Sequence, residues 1–188
     1  MNDLKQNAIP LSAFFLTGIT AILAYDHVPY PIPYIVFKYP FAITIIYVFF
    51  RFVAISDKRR SNQLDEVGLF RPLRDGAFLL CGHAHLLDLG SRLGILSPAS
   101  NIYLGLLSWI IVMIGLYARR QPQGLLGRLL DLLPITTPQT RTFLCNGFII
   151  AGILGVIGTF AALVQPLWLS LPLAYVFFRA WQRSGDHS

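Results

Sequence analysis

Residues 77–97 read Ala77-Phe-Leu-Leu-Cys81-Gly-His83-Ala-His85-Leu-Leu-Asp88-Leu-Gly-Ser-Arg92-Leu-Gly-Ile-Leu-Ser97, a run that is apolar enough for hydrocarbon yet carries ionisable side chains. Charged groups in lipid are costly and must be shielded or paired, so the reading of this run decides how often the chain crosses a membrane. On a helix, Cys81, His85, Asp88 and Arg92 follow one another at steps of four, three and four residues and share a face. His85 and Asp88 are then placed to hydrogen-bond one turn apart, and Asp88 to pair with Arg92, which turns two isolated charges into a satisfied pair. Lys38, expected in the outer half of the second span, is within reach of the same stripe.

Composition points the same way. Of 188 residues, 55% are hydrophobic and 13% charged, a balance outside that of soluble domains. The fold class expected is an all-α, polytopic transmembrane helical bundle forming one domain, with a bacterial inner membrane as its setting. The net charge of +6 forms no stripe on a soluble surface; the basic residues sit beside apolar runs, as the positive-inside rule requires, so no nucleic-acid partner is expected.

Runs of suitable length and apolarity fall at 9–25, 33–54, 77–97, 102–118, 143–164 and 167–181. The connections at 26–32, 98–101 and 165–166 have no Lys or Arg and should face outward. The loops at 55–76 and 119–142 hold Lys58, Arg59, Arg60, Arg71, Arg74, Arg119, Arg120, Arg128 and Arg141, and Arg179 and Arg183 lie near the carboxyl end. Six spans with both termini cytoplasmic put all of these on one side. Dropping 77–97 would send the Lys58 cluster and Arg119-Arg120 to opposite sides; four spans plus interfacial or re-entrant helices is the competing layout. Tyr25, Tyr30, Tyr34, Tyr103 and Trp168 mark the outer interface, Tyr117 and Trp181 the inner one. A short helix is expected over 124–133. The first apolar run is read as retained, since no small-x-small cleavage site follows it.

Gly147, Ala151, Gly155 and Thr159 recur every four residues, and Gly90 and Gly94 make a second such pair. Small residues in register allow close helix approach, within the chain or between copies, and a homo-oligomer is expected. His83 and His85, two apart, point to nearly opposite sides of a helix, which argues against a shared metal or haem, and no cofactor is expected. Asp88 is the lone acid deep in a span, and no strained nucleophile turn or phosphate loop is present, so no catalytic residues are assigned.

The functional expectation is subtractive. A membrane-embedded sensor or anchor would use Lys58, Arg59, Arg60, Arg71, Arg74, Arg119, Arg120 and Arg128 to engage anionic headgroups and a cytosolic protein partner. Small membrane components of exclusion or phage-defence systems are similar in type, by analogy alone. The alternative is a small transporter or substrate-capture subunit with the Cys81–Arg92 stripe and Lys38 lining its route. Its layout resembles the membrane subunits that capture vitamins for energy-coupling transporters, without a shared motif or inverted repeat.

Overall fold

In the computed structural model, the described residues are 8–24, 32–56, 68–96, 102–161 and 166–185. Among them every regular element is helical: α1 (Ala8–Ala24), α2 (Ile32–Ser56), α3 (Phe70–Arg92), α4 (Ile102–Arg120), α5 (Leu125–Asp131), α6 (Pro138–Gly158) and α7 (Leu167–Gly185). Each of the six expected stretches overlaps a helix, although α3 ends at Arg92 and α6 at Gly158, short of the expected 97 and 164, and α5 lies within the expected 124–133 stretch. Two helices, α4 over Tyr103–Arg120 and α6 over Thr140–Gly158, are long and apolar enough to cross a membrane. The others fall short of this standard. α1 and α2 contribute shorter apolar segments, Ala8–Leu23 and Phe41–Val53.

The third helix departs most from expectation. It begins at Phe70 rather than Ala77, so Arg71, Arg74 and Asp75, read as loop, occupy its first two turns. Pro72 stands in the first turn, where its missing N–H leaves no intrahelical bond unmade. Asp75 is buried, and the adjacent Arg74 binds it, Nη2 to Oδ1, at 2.8 Å. The helix closes early as well. Gly94 adopts φ +70°, which favours glycine, and the N–H groups of Ile95 and Leu96 return to the Gly90 carbonyl at 2.9 and 3.0 Å. Leu96 folds over Gly90, where a β-carbon would collide with it. Gly90 and Gly94 therefore build a helix-ending turn, not the interhelical seam that their spacing suggested.

Two units emerge, each with its own packing: α1, α2 and α3 from Leu73 onward make up one, and Phe70–Pro72 with α4–α7 the other. In the first unit, Ala13 of α1, Ile43 of α2 and Phe78 of α3 form a buried apolar cluster. In the second, Ala118, Leu130, Leu144, Cys145, Phe148, Val176 and Ala180 form the core shared by α4, α5, α6 and α7.

Glycines set the spacing of the second unit. A β-carbon on Gly115 would stand 2.5 Å from the Cys145 carbonyl oxygen, and one on Gly147 2.6 Å from the Val176 methyls. Gly155 lies against Ser108 and Leu169, and Gly158 against Trp168. As residue numbers rise on α6 they fall on α4 and α7, so α6 runs antiparallel to both. The Gly147–Ala151–Gly155–Thr159 stripe is consumed by this internal packing, since Ala151 and Thr159 are both fully buried.

α6 starts with a capping box. The Thr140 N–H donates to Thr137 Oγ1 at 3.1 Å and the Thr137 N–H to Thr140 Oγ1 at 2.8 Å, with Pro138 just inside the helix. Large apolar side chains remain exposed along the helices, among them Ile22, Phe52, Tyr103, Ile150, Leu171 and Trp181. Of the aromatics expected at the interfaces, Tyr103, Trp168 and Trp181 are exposed and Tyr117 is buried at 3% exposure. The exposed Arg120 guanidinium lies 6.0 Å from the Tyr117 ring centroid. Tyr25, Tyr30 and the Tyr34 side chain lie outside the described residues.

Candidate functional site

The stripe on α3 meets α1 and α2 in the first unit. Cys81 is half-buried, and its Sγ points to the Tyr39 carbonyl at 3.9 Å, a weak contact. His85 is 2% exposed. One of its ring nitrogens, Nε2, lies 2.8 Å from Thr20 Oγ1, and the ring stands edge-on to Tyr39 with centroids 5.3 Å apart. Asp88 accepts from Arg92 Nε at 3.1 Å, the expected pair one turn apart. Lys38 is exposed and sits 4.9 Å from the Tyr39 ring centroid. Along α3 the stripe thus runs from half-buried Cys81, through buried His85, to an ion pair whose arginine reaches the surface.

The expected His85–Asp88 hydrogen bond is not made. His85 Nδ1 and Asp88 Oδ2 are both buried and neither has a hydrogen-bond partner. The Tyr39 phenol reaches the Asp88 carboxylate through both charge and a side-chain hydrogen bond, while the Oδ2 atom itself has no partner. The reason lies on α1. Thr20 has one hydroxyl hydrogen, and its 2.6 Å approach to the Leu16 carbonyl takes it. With that hydrogen on the Leu16 carbonyl, Thr20 Oγ1 is assigned as acceptor from the His85 Nε2–H, the tautomer that leaves Nδ1 as an acceptor. Nδ1 and Oδ2 are then two unsatisfied acceptors on residues three apart, with the Tyr39 phenol beside both groups.

Thr20 and Tyr39 are the members that sequence reasoning missed. Tyr39 adjoins Lys38, which was singled out for charge while its aromatic neighbour makes the contact. Thr20 borders the buried face formed by Ala13, Thr17 and Ala21 at steps of four residues. Small residues at that spacing in an apolar run were a usable signal for the face that meets α3. His83 is also buried, at 4% exposure. Among the described residues, no three His, Cys, Asp or Glu side chains converge on a point that could hold a metal ion.

A pair of isosteric changes tests the Thr20 contact. Thr20→Val should strand the His85 Nε2–H and lower stability by about 1–2 kcal/mol. Thr17→Val should cost less, because the Thr17 hydroxyl serves only carbonyls of its own helix, Ala13 at 2.9 Å and Phe14 at 3.1 Å. Thermal melts of the two variants in mild detergent separate these outcomes, and equal losses would contradict the assignment.

The second unit gathers arginines at one end. Arg119 Nη1 donates to Asn146 Oδ1 at 2.8 Å, and the Arg183 guanidinium lies 4.3 Å from the Phe143 ring centroid. The carboxyl ends of α4 and α7 therefore meet the amino end of α6. Arg141 pins the intervening loop, with Nη1 on Asp131 at 2.9 Å and Nη2 donating to the carbonyls of Pro122 at 3.1 Å and Gly127 at 3.3 Å. Gly68, at φ +73°, packs against Gln121 and Gly124, so the stretch leading to half-buried Arg71 joins this end. Arg119, Arg120, Arg128, Arg179 and Arg183 remain exposed. Leu125, Leu129 and Leu132 are exposed beside them. Lys58, Arg59 and Arg60 lie outside the described residues.

Comparisons of the chain with protein-family models, curated proteins and solved structures found no match.

Proposed function

We propose that the chain is a non-enzymatic, multi-pass membrane protein with six spans and cytoplasmic termini, working as a membrane-embedded sensor or anchor. The arginine end of the second unit carries this reading. Helices with exposed apolar flanks terminate together in Arg119, Arg120, Arg128, Arg179 and Arg183, with Leu125, Leu129 and Leu132 beside them. Such an end fits anionic headgroups at the cytoplasmic face, with apolar side chains dipping below the guanidinium layer. It also presents the main charged surface of that unit to a cytosolic protein. Asp131 is held by Arg141, so acidic groups there do little to offset the positive field.

A second reading, capture of a small polar solute, is favoured by one observation, the two buried atoms His85 Nδ1 and Asp88 Oδ2 that have no hydrogen-bond partner. Affinity purification of the full chain from mild detergent discriminates the two. The anchor predicts a stoichiometric soluble partner that is lost when Arg119, Arg120 and Arg128 are replaced by Gln and retained in Asp88→Asn. Solute capture predicts a small molecule that co-purifies and is lost in Asp88→Asn and His85→Ala. Absence of a soluble partner under these conditions would refute the anchor.

A further inference from the structure

Between α1 and α2 lies a cleft of about 350 Å³, floored by Phe78 of α3 and walled by Leu11 and Phe14 on one side and Ile43, Thr44 and Tyr47 on the other. It falls within the size range of small-molecule sites, about 300–1,000 Å³. Its lining is almost wholly apolar, so it selects against a polar solute. Leu11, Phe14 and Tyr47 are exposed along its rim, which leaves it open on one side. An apolar cleft of this size, open on one side, suits a hydrocarbon chain.

The α2 wall ends in a charge. Thr44, Tyr47 and Arg51 stand at successive steps of three and four residues and share one face, and Arg51 is exposed. Arg51 lies about 10 Å beyond Thr44 along the helix axis. With the termini cytoplasmic, the amino end of α1 and the carboxyl end of α2 both lie at the inner leaflet, which sets Arg51 at headgroup depth and the cleft among the acyl chains. We propose that this cleft binds one acyl chain of an anionic phospholipid of the cytoplasmic leaflet, with Arg51 holding its phosphate. The site rests on the membrane reading above. It is separate from the polar cluster around His85, which shares none of these lining residues.

Native mass spectrometry of the full chain, taken from nanodiscs of equal phosphatidylglycerol and phosphatidylcholine, tests this. One phosphatidylglycerol per chain should be retained over phosphatidylcholine by about fivefold, the preference expected of one arginine near a headgroup. Arg51→Gln, an exposed change that leaves the packing intact, should bring that ratio to about one. Thr44→Phe should fill the cleft and reduce retention of both lipids. Equal retention of both lipids by the unaltered chain, or wild-type behaviour in both variants, would overturn the proposal. A chain that stays monodisperse without detergent and retains no lipid would instead refute the membrane reading itself.

Discussion

Gly152→Val is expected to separate α4 from α6 and to lower stability by about 3 kcal/mol or more, the upper range of overpacking costs. A β-carbon at residue 152 would stand 2.5 Å from a Val112 methyl, 2.7 Å from the Ser108 carbonyl oxygen and 2.9 Å from the Val112 amide nitrogen. Two of these three are backbone atoms of α4, so no side-chain rotation relieves the overlap and the helices must move apart. The core of Ala118, Leu144, Cys145 and Phe148 would open with them. For a chain of this length the loss corresponds to about 6–12 °C in melting temperature, read by circular dichroism in mild detergent. Gly18→Ala is the contrast. Nothing lies within 4 Å of its would-be β-carbon, and alanine favours the helix by about 1 kcal/mol, so the melt should hold or rise. Equal losses in the two variants would show that the glycine seam is not what fixes helix spacing.

Replacing Arg119, Arg120 and Arg128 together by Gln should loosen the orientation of the α4–α6 loop. Each arginine near an anionic surface contributes about 1 kcal/mol, so three contribute about 3 kcal/mol, roughly a hundredfold in the ratio of cytoplasmic to external placement. Arg141 is left unchanged because it makes three bonds within the loop, to Asp131 and the Pro122 and Gly127 carbonyls, whereas Arg119 and Arg128 each make one exposed bond, to Asn146 and to the Gln123 carbonyl. Protease added outside intact spheroplasts should spare residues 119–142 in the unaltered chain and cut them in a substantial fraction of the triple variant. Complete protection in both would show that these charges do not set orientation.

The helices were legible because apolar runs bounded by proline or arginine leave little else for the backbone to do in a chain this hydrophobic. The start of α3 was not, since Phe70-Arg-Pro-Leu-Arg-Asp75 reads as loop by its charges and its proline. Pro72 is tolerated in a first turn, and Asp75 is buried against Arg74, so the segment is helical without being apolar. Spacing alone placed Cys81, His85, Asp88 and Arg92 on one face and predicted the Asp88–Arg92 pair. What spacing cannot supply is rotation relative to other helices, and rotation is what brings Thr20 rather than Asp88 to the His85 ring. The small-residue pattern of α6 likewise announced close approach without naming the neighbours. The same pattern misled at Gly90 and Gly94, where a positive φ at Gly94, invisible in sequence, turned an apparent packing pair into a helix stop.

The central claim is that the arginine end of the second unit faces the cytoplasm of a membrane-embedded chain. Single cysteines at positions 26 and 123, in a chain with Cys81 and Cys145 replaced, test it with a thiol reagent that cannot cross membranes. In intact cells position 26 should react and position 123 should react only after lysis. Labelling of position 123 from outside, or protection of position 26, would contradict the proposed topology.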